Sequence, residues 1–451
     1  MSAIRRTLRF STLDGTAYAV MVGVGETYLA AFVLAADLGE VAAGLVMTVP
    51  LLAGALLQLA SPAGVRLLGN LRRWVALMAA LQALAFVPLA LMAMTGWAPA
   101  WAIFACSTVY WGAGMACGAA WVTWVAGIIP GPIRARYFGR RSRLVQMGVL
   151  AGLVLGGVTL EWGRRVTPGE GVPLALFAAL FATAGAFRLV SAALLTRYHD
   201  PGRQATAHKV VGLKELVRRA RHGKDVRFLA FMLMVTASAQ IAQPFFTPFM
   251  LGQLRLTYGE FLVLVGASFV AKSVAMPIFG RYVARIGAHR LLWVGGLGIV
   301  PLAGMWLVSD SFWYLFATQL FAGAAWGAYE LATLLLMFET LRDDERTSLL
   351  AKFNFGNAGS IVAGSLVGGA ILSSLPDPGD AYVIVFLLSL GARLIPVLFL
   401  LRTDRRVERP LPLSVEVEAV RPAAGSIDAP ILESLPKGVA QGPAPAARLS
   451  P

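Results

Sequence analysis

Five ionisable residues lie inside long apolar stretches of the sequence, and three of them are candidates for function because a charge there is costly. Glu26 stands in the segment GVGETYLAAF, with Tyr18 two helical turns earlier on a similar face. A carboxylate kept away from water can bind and release a proton near neutral pH, so Glu26 is a candidate for proton coupling, with a structural pairing to a neighbouring helix as the alternative. Glu330 and Lys272 are the other two. Lys272 could neutralise Glu330 or meet an anionic substrate, and a purely structural ion pair is an equal alternative.

Uncharged polar and aromatic side chains accompany these charges. Gln240 and Gln243 are one turn apart and precede Pro244, which permits a kink and frees backbone carbonyls. Trp326 shares a helical face with Glu330. A proline-bent helix with amide bonds to its neighbours would explain the glutamines equally well. We predict that the substrate cavity is lined by Tyr18, Gln240, Gln243, Trp326 and Tyr329.

Composition places all of these residues in a membrane. The chain of 451 residues is 57% hydrophobic and only 14% charged, well below the ~25% charged residues of soluble domains. Twelve segments reach the roughly 20 apolar residues that a spanning helix needs. The sequence thus predicts an all-α membrane protein with twelve transmembrane helices in two pseudo-symmetric six-helix bundles.

The positive charges set the orientation and the domain boundaries. The net charge is +15, and most Lys and Arg fall on the side of the two termini, so we expect both termini to be cytoplasmic in a bacterial inner membrane. This placement argues against nucleic-acid binding. We predict a cytoplasmic N-terminal segment, a first bundle, a linker with a basic amphipathic helix, a second bundle and a disordered cytoplasmic tail, at residues 1–13, 14–196, 197–227, 228–402 and 403–451.

Two internal sequence repeats indicate that the two halves of the chain have the same arrangement of helices. The sequence Ala151-Gly152-x-x-x-Gly156-Gly157 repeats 212 positions later around Gly364 and Gly368, and Arg188 has a counterpart 205 positions later in Arg393. Small residues four apart let membrane helices approach closely, so packing is the favoured reading of the glycines. Matched positions give the two arginines a scaffold role, in which we expect their side chains to reach the cytoplasmic interface or hold a loop.

The chain resembles the major facilitator superfamily of secondary transporters. The resemblance rests on its twelve spans in two halves, on the arginine-rich turn after Pro130, and on Gly280, Arg285, Gly287 and Arg290, which match that family's turn between helices eight and nine. The acidic position of that turn is Ala284 here, so a lock would need Asp14 or Glu339 nearby. The resemblance implies a cytoplasmic gate formed by Asp14, Arg134, Arg140, Gly280, Arg285, Gly287, Arg290 and Arg346.

The resemblance also implies alternating access around a cavity lined by spans one, four, seven and ten. We therefore predict a proton-coupled secondary transporter of a small amphipathic or weakly polar solute, working as a monomer, with protons and membrane lipids as its other partners. A lipid or lysolipid transporter and a nontransporting receptor or assembly factor are the alternatives. No nucleotide-binding motif appears and the four histidines lack metal-ligand spacing, so we predict no enzymatic activity, cofactor or metal.

Overall fold

The protein is a bundle of long helices. Its computed structural model describes residues 2–128, 131–166, 172–198, 224–340 and 346–401. Within these ranges, twelve helices are long and apolar enough to cross a membrane, which confirms the all-α prediction. The predicted linker at 197–227 and tail at 403–451 fall largely or wholly outside the described residues.

Each half of the chain supplies six of the helices. The first six are α1 (Ser2–Val24, continued by Leu29–Ala35), α2 (Glu40–Leu45 and Val49–Leu68), α3 (Leu71–Leu84 and Phe86–Thr95), α4 (Ala100–Ile128), α5 (Gly131–Val166) and α6 (Leu174–Leu195). The other six are α7 (Lys224–Gln240, continued by short segments to Gln253), α8 (Tyr258–Ile286), α9 (Ala288–Ile299 and Leu302–Met305), α10 (Phe312–Thr340), α11 (Arg346–Ser374) and α12 (Pro378–Leu401). We call the end with connections 36–39 and 254–257 the distal end, and the opposite one the proximal end.

The arginine-rich stretch is helical, and the expectation of a turn there is wrong. Helix α5 begins at Gly131, so Arg134 and Arg140 lie in its first three turns. Pro132 does not oppose this, because a proline in the first turn of a helix removes an N–H that has no partner anyway. The connection between α8 and α9, where the sequence resembles the family's turn, is very short. Gly287 alone joins α8 to α9, with a φ of 84° that only glycine adopts at little cost.

The duplicated plan includes matching breaks in α1 and α7. Helix α1 is interrupted by the 3-10 turn Glu26–Tyr28, and α7 by the 3-10 turn Gln243–Phe245, 217 positions later (243 − 26 = 217). In α7 the cause is Pro244, which cannot donate a backbone hydrogen bond. In α1 no proline lies at the break, which comes directly after Gly25.

The repeated glycines are packing positions, as predicted. Gly152 of α5 lies against α1, where an added methyl group would come within 2.5 Å of the Val20 carbonyl oxygen. Its counterpart Gly364 of α11 lies against α7, where a methyl group would come within 2.9 Å of the Gln240 Cβ. Each half therefore packs its broken helix tightly on a glycine-lined neighbour.

Candidate functional site

Glu26 is a buried carboxylate at the first residue of the α1 break. It is 4% exposed, and its Oε2 accepts a hydrogen bond from the hydroxyl of Tyr110 on α4 at 2.5 Å. The Tyr110 ring packs edge-on against Phe86, with centroids 5.2 Å apart. Sequence reasoning did not identify Tyr110, because a tyrosine in an apolar span gives no signal until its partner on another helix is known.

Gln243 occupies in α7 the place that Glu26 occupies in α1. Its side-chain Oε1 is buried and accepts no hydrogen bond from the part of the chain that the structure describes. Gln240, at the end of the preceding helix, is 1% exposed. The two breaks thus place a carboxylate and an amide oxygen at equivalent depths of the two halves.

Lys272 and Glu330 form a buried ion pair between α8 and α10. The Lys272 Nζ lies 2.5 Å from the Glu330 Oε1, and the two side chains are 6% and 1% exposed. Trp326, one turn before Glu330, meets the ring of Tyr329 edge-on at 5.8 Å. Tyr329 is itself buried and tilts against Phe231, so it belongs to the core of the second half. The structure therefore joins the two charges that the sequence singled out.

A second polar network lies in the proximal part of the first half. The buried carboxylate of Asp14 accepts hydrogen bonds from the hydroxyls of Ser191, at 2.5 Å, and Tyr198, at 3.1 Å. Arg188 donates to Ser191 and to the Gln82 side chain, both at 2.7 Å. Burial raises the pKa of the Tyr198 phenol well above its usual value, so this hydroxyl remains a donor at neutral pH.

The two matched arginines are internal, and the expectation that they reach the interface is wrong. Arg188 and Arg393 are each 3% exposed. The Tyr18 ring covers the Arg188 guanidinium, with its centroid 4.8 Å from Cζ. Tyr18 thus contacts the Asp14 network, about 12 Å along the helix from Glu26 at 1.5 Å per residue. Both guanidinium groups find acceptors inside their own half, which removes the need to extend to water.

The predicted gate residues are divided among several places. Gly280 and Arg285 lie in the last two turns of α8 and Arg290 lies in the first turn of α9, with both arginines exposed. Asp14 makes its hydrogen bonds within the first half. Arg134 and Arg140 lie in α5, and Arg346 begins α11. A shared role for these residues in a gate stays a prediction.

Aromatic rings seal the distal end between the halves. Tyr28, at the end of the α1 break, packs on Gly156 of its own half and meets Phe261 of α8 with centroids 6.2 Å apart. Phe245, its counterpart 217 positions later, packs on Gly368 of its own half and on Gly44 of α2. Gly44 is in turn 217 positions before Phe261 (261 − 44 = 217), so the seal follows the same two-fold plan. Each break ends in a ring that contacts the other half.

Polar contacts join the halves near this seal. Gln253 donates to the Glu40 carboxylate at 2.9 Å, and the backbone N–H of Gly259 donates to the Glu161 carboxylate at 3.2 Å. Deeper in the bundle, Thr48 of α2 donates to Ser365 of α11 at 2.9 Å. Apolar contact between α5 and α8 continues further toward the proximal end, where Val145, Val149, Phe269 and Met276 share one cluster.

The fold and part of the sequence match known transporters. Residues 228–440 match the family model of the Major Facilitator Superfamily. The structure is similar to that of the nucleoside transporter NupG (TM-score 0.62, 12% identity, 90% of this chain and 100% of that one). It is also similar to a bacterial homologue of the iron transporter ferroportin in an inward-facing state (TM-score 0.65, 11% identity, 89% and 98%). No curated protein matches the sequence significantly. The resemblance seen in the sequence is thereby confirmed for the fold.

Proposed function

We propose that this membrane protein of the major facilitator superfamily is a proton-coupled secondary transporter that moves a small amphipathic or weakly polar solute by alternating access. The family model that matches residues 228–440 supports transport as such. The coupling, the class of solute and the mechanism are our proposal, and they rest on the residues at the two helix breaks.

The matching breaks carry this proposal. Discontinuous helices at equivalent places in two repeats are where secondary transporters hold their substrates and coupling ions, because interrupted helices expose backbone and polar groups at mid-membrane depth. Here the first residue of one break is Glu26 and that of the other is Gln243. We assign proton binding to the carboxylate of Glu26 and solute contact to the amide of Gln243.

Tyr110 gives Glu26 a partner that supports a proton cycle. The ionised carboxylate of Glu26 accepts the hydrogen bond that the Tyr110 hydroxyl donates, and the O–H of the protonated carboxyl group can itself donate to a solute or to water. The Lys272–Glu330 pair supplies a second charge centre in the other half. It is self-neutralised, which favours a solute with little net charge over a multiply charged metabolite.

The distal seal supports an inward-facing state. The count of basic residues assigns the distal end to the outside of the cell. Aromatic and polar contacts join the halves there, through Tyr28, Phe245 and the Glu40–Gln253 bond. In an alternating-access cycle, outward opening separates these contacts while the proximal ends approach each other.

Ligand-dependent thermal stability tests the proposal. The detergent-purified protein is heated with metabolites, drugs and lysolipids at pH 6 and pH 8, because a ligand of the native state raises the melting temperature by mass action. We expect a soluble compound whose effect depends on pH in the natural protein and loses that dependence in Glu26→Gln. Uptake of this compound into proteoliposomes, driven by a pH gradient, then follows.

A matched control removes a phenol that has no place in the proposed proton cycle. Tyr198→Phe leaves Glu26 and Tyr110 in place and should retain the pH-dependent response. Stabilisation by lysolipids alone would contradict a soluble cargo and favour lipid transport. Retained pH dependence in Glu26→Gln would contradict the role of Glu26.

A further inference from the structure

Arg393 is a buried cation whose partners are backbone carbonyl groups. It lies on α12, and its Nη1 donates to the Ile299 oxygen at 2.9 Å while its Nη2 lies 3.5 Å from the Ala239 oxygen. Within the described ranges no carboxylate pairs with it. The Nε of Arg393 is buried and has no hydrogen-bond partner in the described part of the chain. Because burying a charge is costly unless it is hydrogen-bonded, the contacts with these two carbonyls are what stabilises the guanidinium there.

Both carbonyls belong to the ends of interrupted helices. Ala239 is the second-last residue of Lys224–Gln240, and Ile299 is the last residue of Ala288–Ile299. The last four carbonyls of a helix lack their usual intrahelical donors and form the negative end of its dipole. The Ala239 oxygen accepts one further hydrogen bond, from the N–H of Ala242 at 3.2 Å. One guanidinium group therefore supplies donors and positive charge to two helix ends.

A neighbouring residue on α12 makes the same kind of contact. Ser389, one turn before Arg393, donates from its hydroxyl to the Ser238 oxygen at 2.8 Å. Ser238 and Ala239 are consecutive, so α12 presents two donors to successive carbonyls directly before the α7 break. This arrangement holds α7 at the point from which the break begins.

The first half has an equivalent contact of a different kind. Arg188 donates to the side chain of Gln82, which lies 217 positions before Ile299 (299 − 82 = 217). The third helix of each half thus receives a guanidinium group at the same place. In the first half the acceptor is a side chain, and in the second it is the backbone itself at the end of a helix.

We propose that Arg393 is a positioning residue that holds the ends of Lys224–Gln240 and Ala288–Ile299 together, and so fixes the α7 break that carries Gln243. The inference rests on the proposed function only for the role of Gln243 in solute contact. The contacts of Arg393 with the two carbonyls, which we call the two-carbonyl clamp, do not depend on a transported solute. The tests of this clamp use no solute.

Thermal unfolding gives the first test. Arg393→Met removes the side-chain donors to both helix ends and should lower the melting temperature. An unchanged melting temperature would overturn the proposal.

Cysteine labelling tests the positioning of Gln243. In a background with Cys106→Ala and Cys117→Ser, Gln243→Cys reacts with a membrane-permeant maleimide at a rate set by the geometry of the break. Arg393→Met should change this rate severalfold and leave that of Tyr18→Cys on α1 unchanged. An unchanged rate at position 243, or equal changes at both positions, would show that Arg393 contributes only to general stability. Either result would reject a positioning role.

Arg393→Lys provides a second variant if the methionine variant does not fold. Lysine keeps the charge but is a single ammonium group that does not span two carbonyls as a guanidinium fork does. We expect its melting temperature to lie between those of the natural protein and Arg393→Met, with part of the change in labelling rate. A lysine variant that labels as the natural protein does would show that charge alone suffices, against the two-carbonyl clamp.

Discussion

The hydroxyl of Tyr110 donates to the carboxylate of Glu26 across 2.5 Å and thereby joins α4 to the break in α1. Tyr110→Phe removes this donor while keeping the ring against Phe86. We expect a loss of about 1 to 3 kcal/mol in the free energy of unfolding, since the hydrogen bond is made to a charged acceptor. The same change in a Glu26→Gln background should cost less, because the charged acceptor is gone.

Thermal unfolding of the four proteins of this cycle gives the coupling between the two residues. Proton flux into proteoliposomes gives its consequence, and we expect Tyr110→Phe to slow solute-driven flux while Glu26→Gln abolishes it. Independent, additive losses in stability would mean that the hydroxyl and the carboxylate do not act together in the membrane.

Removing one partner of the ion pair between Lys272 and Glu330 should strongly lower the free energy of unfolding. Lys272→Met leaves a buried carboxylate without its cation, which typically costs about 3 to 5 kcal/mol. Adding Glu330→Gln removes the remaining charge and should restore most of the stability. Chemical denaturation in detergent measures both effects.

Transport separates a structural role of this pair from a functional one. We expect the stable double variant to remain inactive, because the second charge centre is absent. Full transport by the double variant would assign the pair to structure alone.

The contact between Thr48 and Ser365 allows the movement of the halves to be tested. Their hydroxyl oxygens are 2.9 Å apart on α2 and α11, so cysteines at both positions lie within reach of a disulfide. In a background free of Cys106 and Cys117, oxidation should join the helices and stop transport, and reduction should restore it. Each single cysteine variant is the control. Undiminished transport by the oxidised double variant would contradict separation of the halves at this level.

The Asp14 network should contribute to stability without setting the pH dependence of transport. Asp14→Asn replaces one of the two oxygens that accept hydrogen bonds from Ser191 and Tyr198 with an amide nitrogen, so we expect a lower melting temperature. The pKa of Tyr198 is raised by burial, and its phenol remains protonated between pH 6 and pH 8. Tyr198→Phe should therefore leave the pH profile of transport unchanged, as measured by initial rates in proteoliposomes. A shifted profile would place the proton site in this network.

The sequence predicted the elements of the fold better than their partners. Length and hydropathy suffice for twelve spans, and glycine spacing suffices for the contacts of α5 and α11, because both depend on local chain properties. Lys272 and Glu330 could be paired because charges in apolar spans are rare and require neutralisation. The break of α7 was foreseeable from Pro244.

Other features depend on contacts between helices that are distant in the sequence, and no local sequence pattern indicates them. The break of α1 has no proline, and the places of Tyr110 and Gln82 are known only once Glu26 and Arg188 are in position. Arg188 and Arg393 were expected at the interface because long basic side chains commonly extend to water. Hydrogen-bond acceptors on α3, α7 and α9 keep the two guanidinium groups inside the bundle. A single sequence does not show these contacts.

The rings of the distal seal bear on the kinetics of opening. Tyr28 and Phe245 rest on glycines of their own half, Gly156 and Gly368, and also contact the opposite half. Each half can thus withdraw with its ring already in place, and no rotamer has to change. The barrier to opening would then come from wetting two preformed surfaces, so the opening rate should respond to solvent viscosity and surface polarity more than to the bulk of the neighbouring side chains.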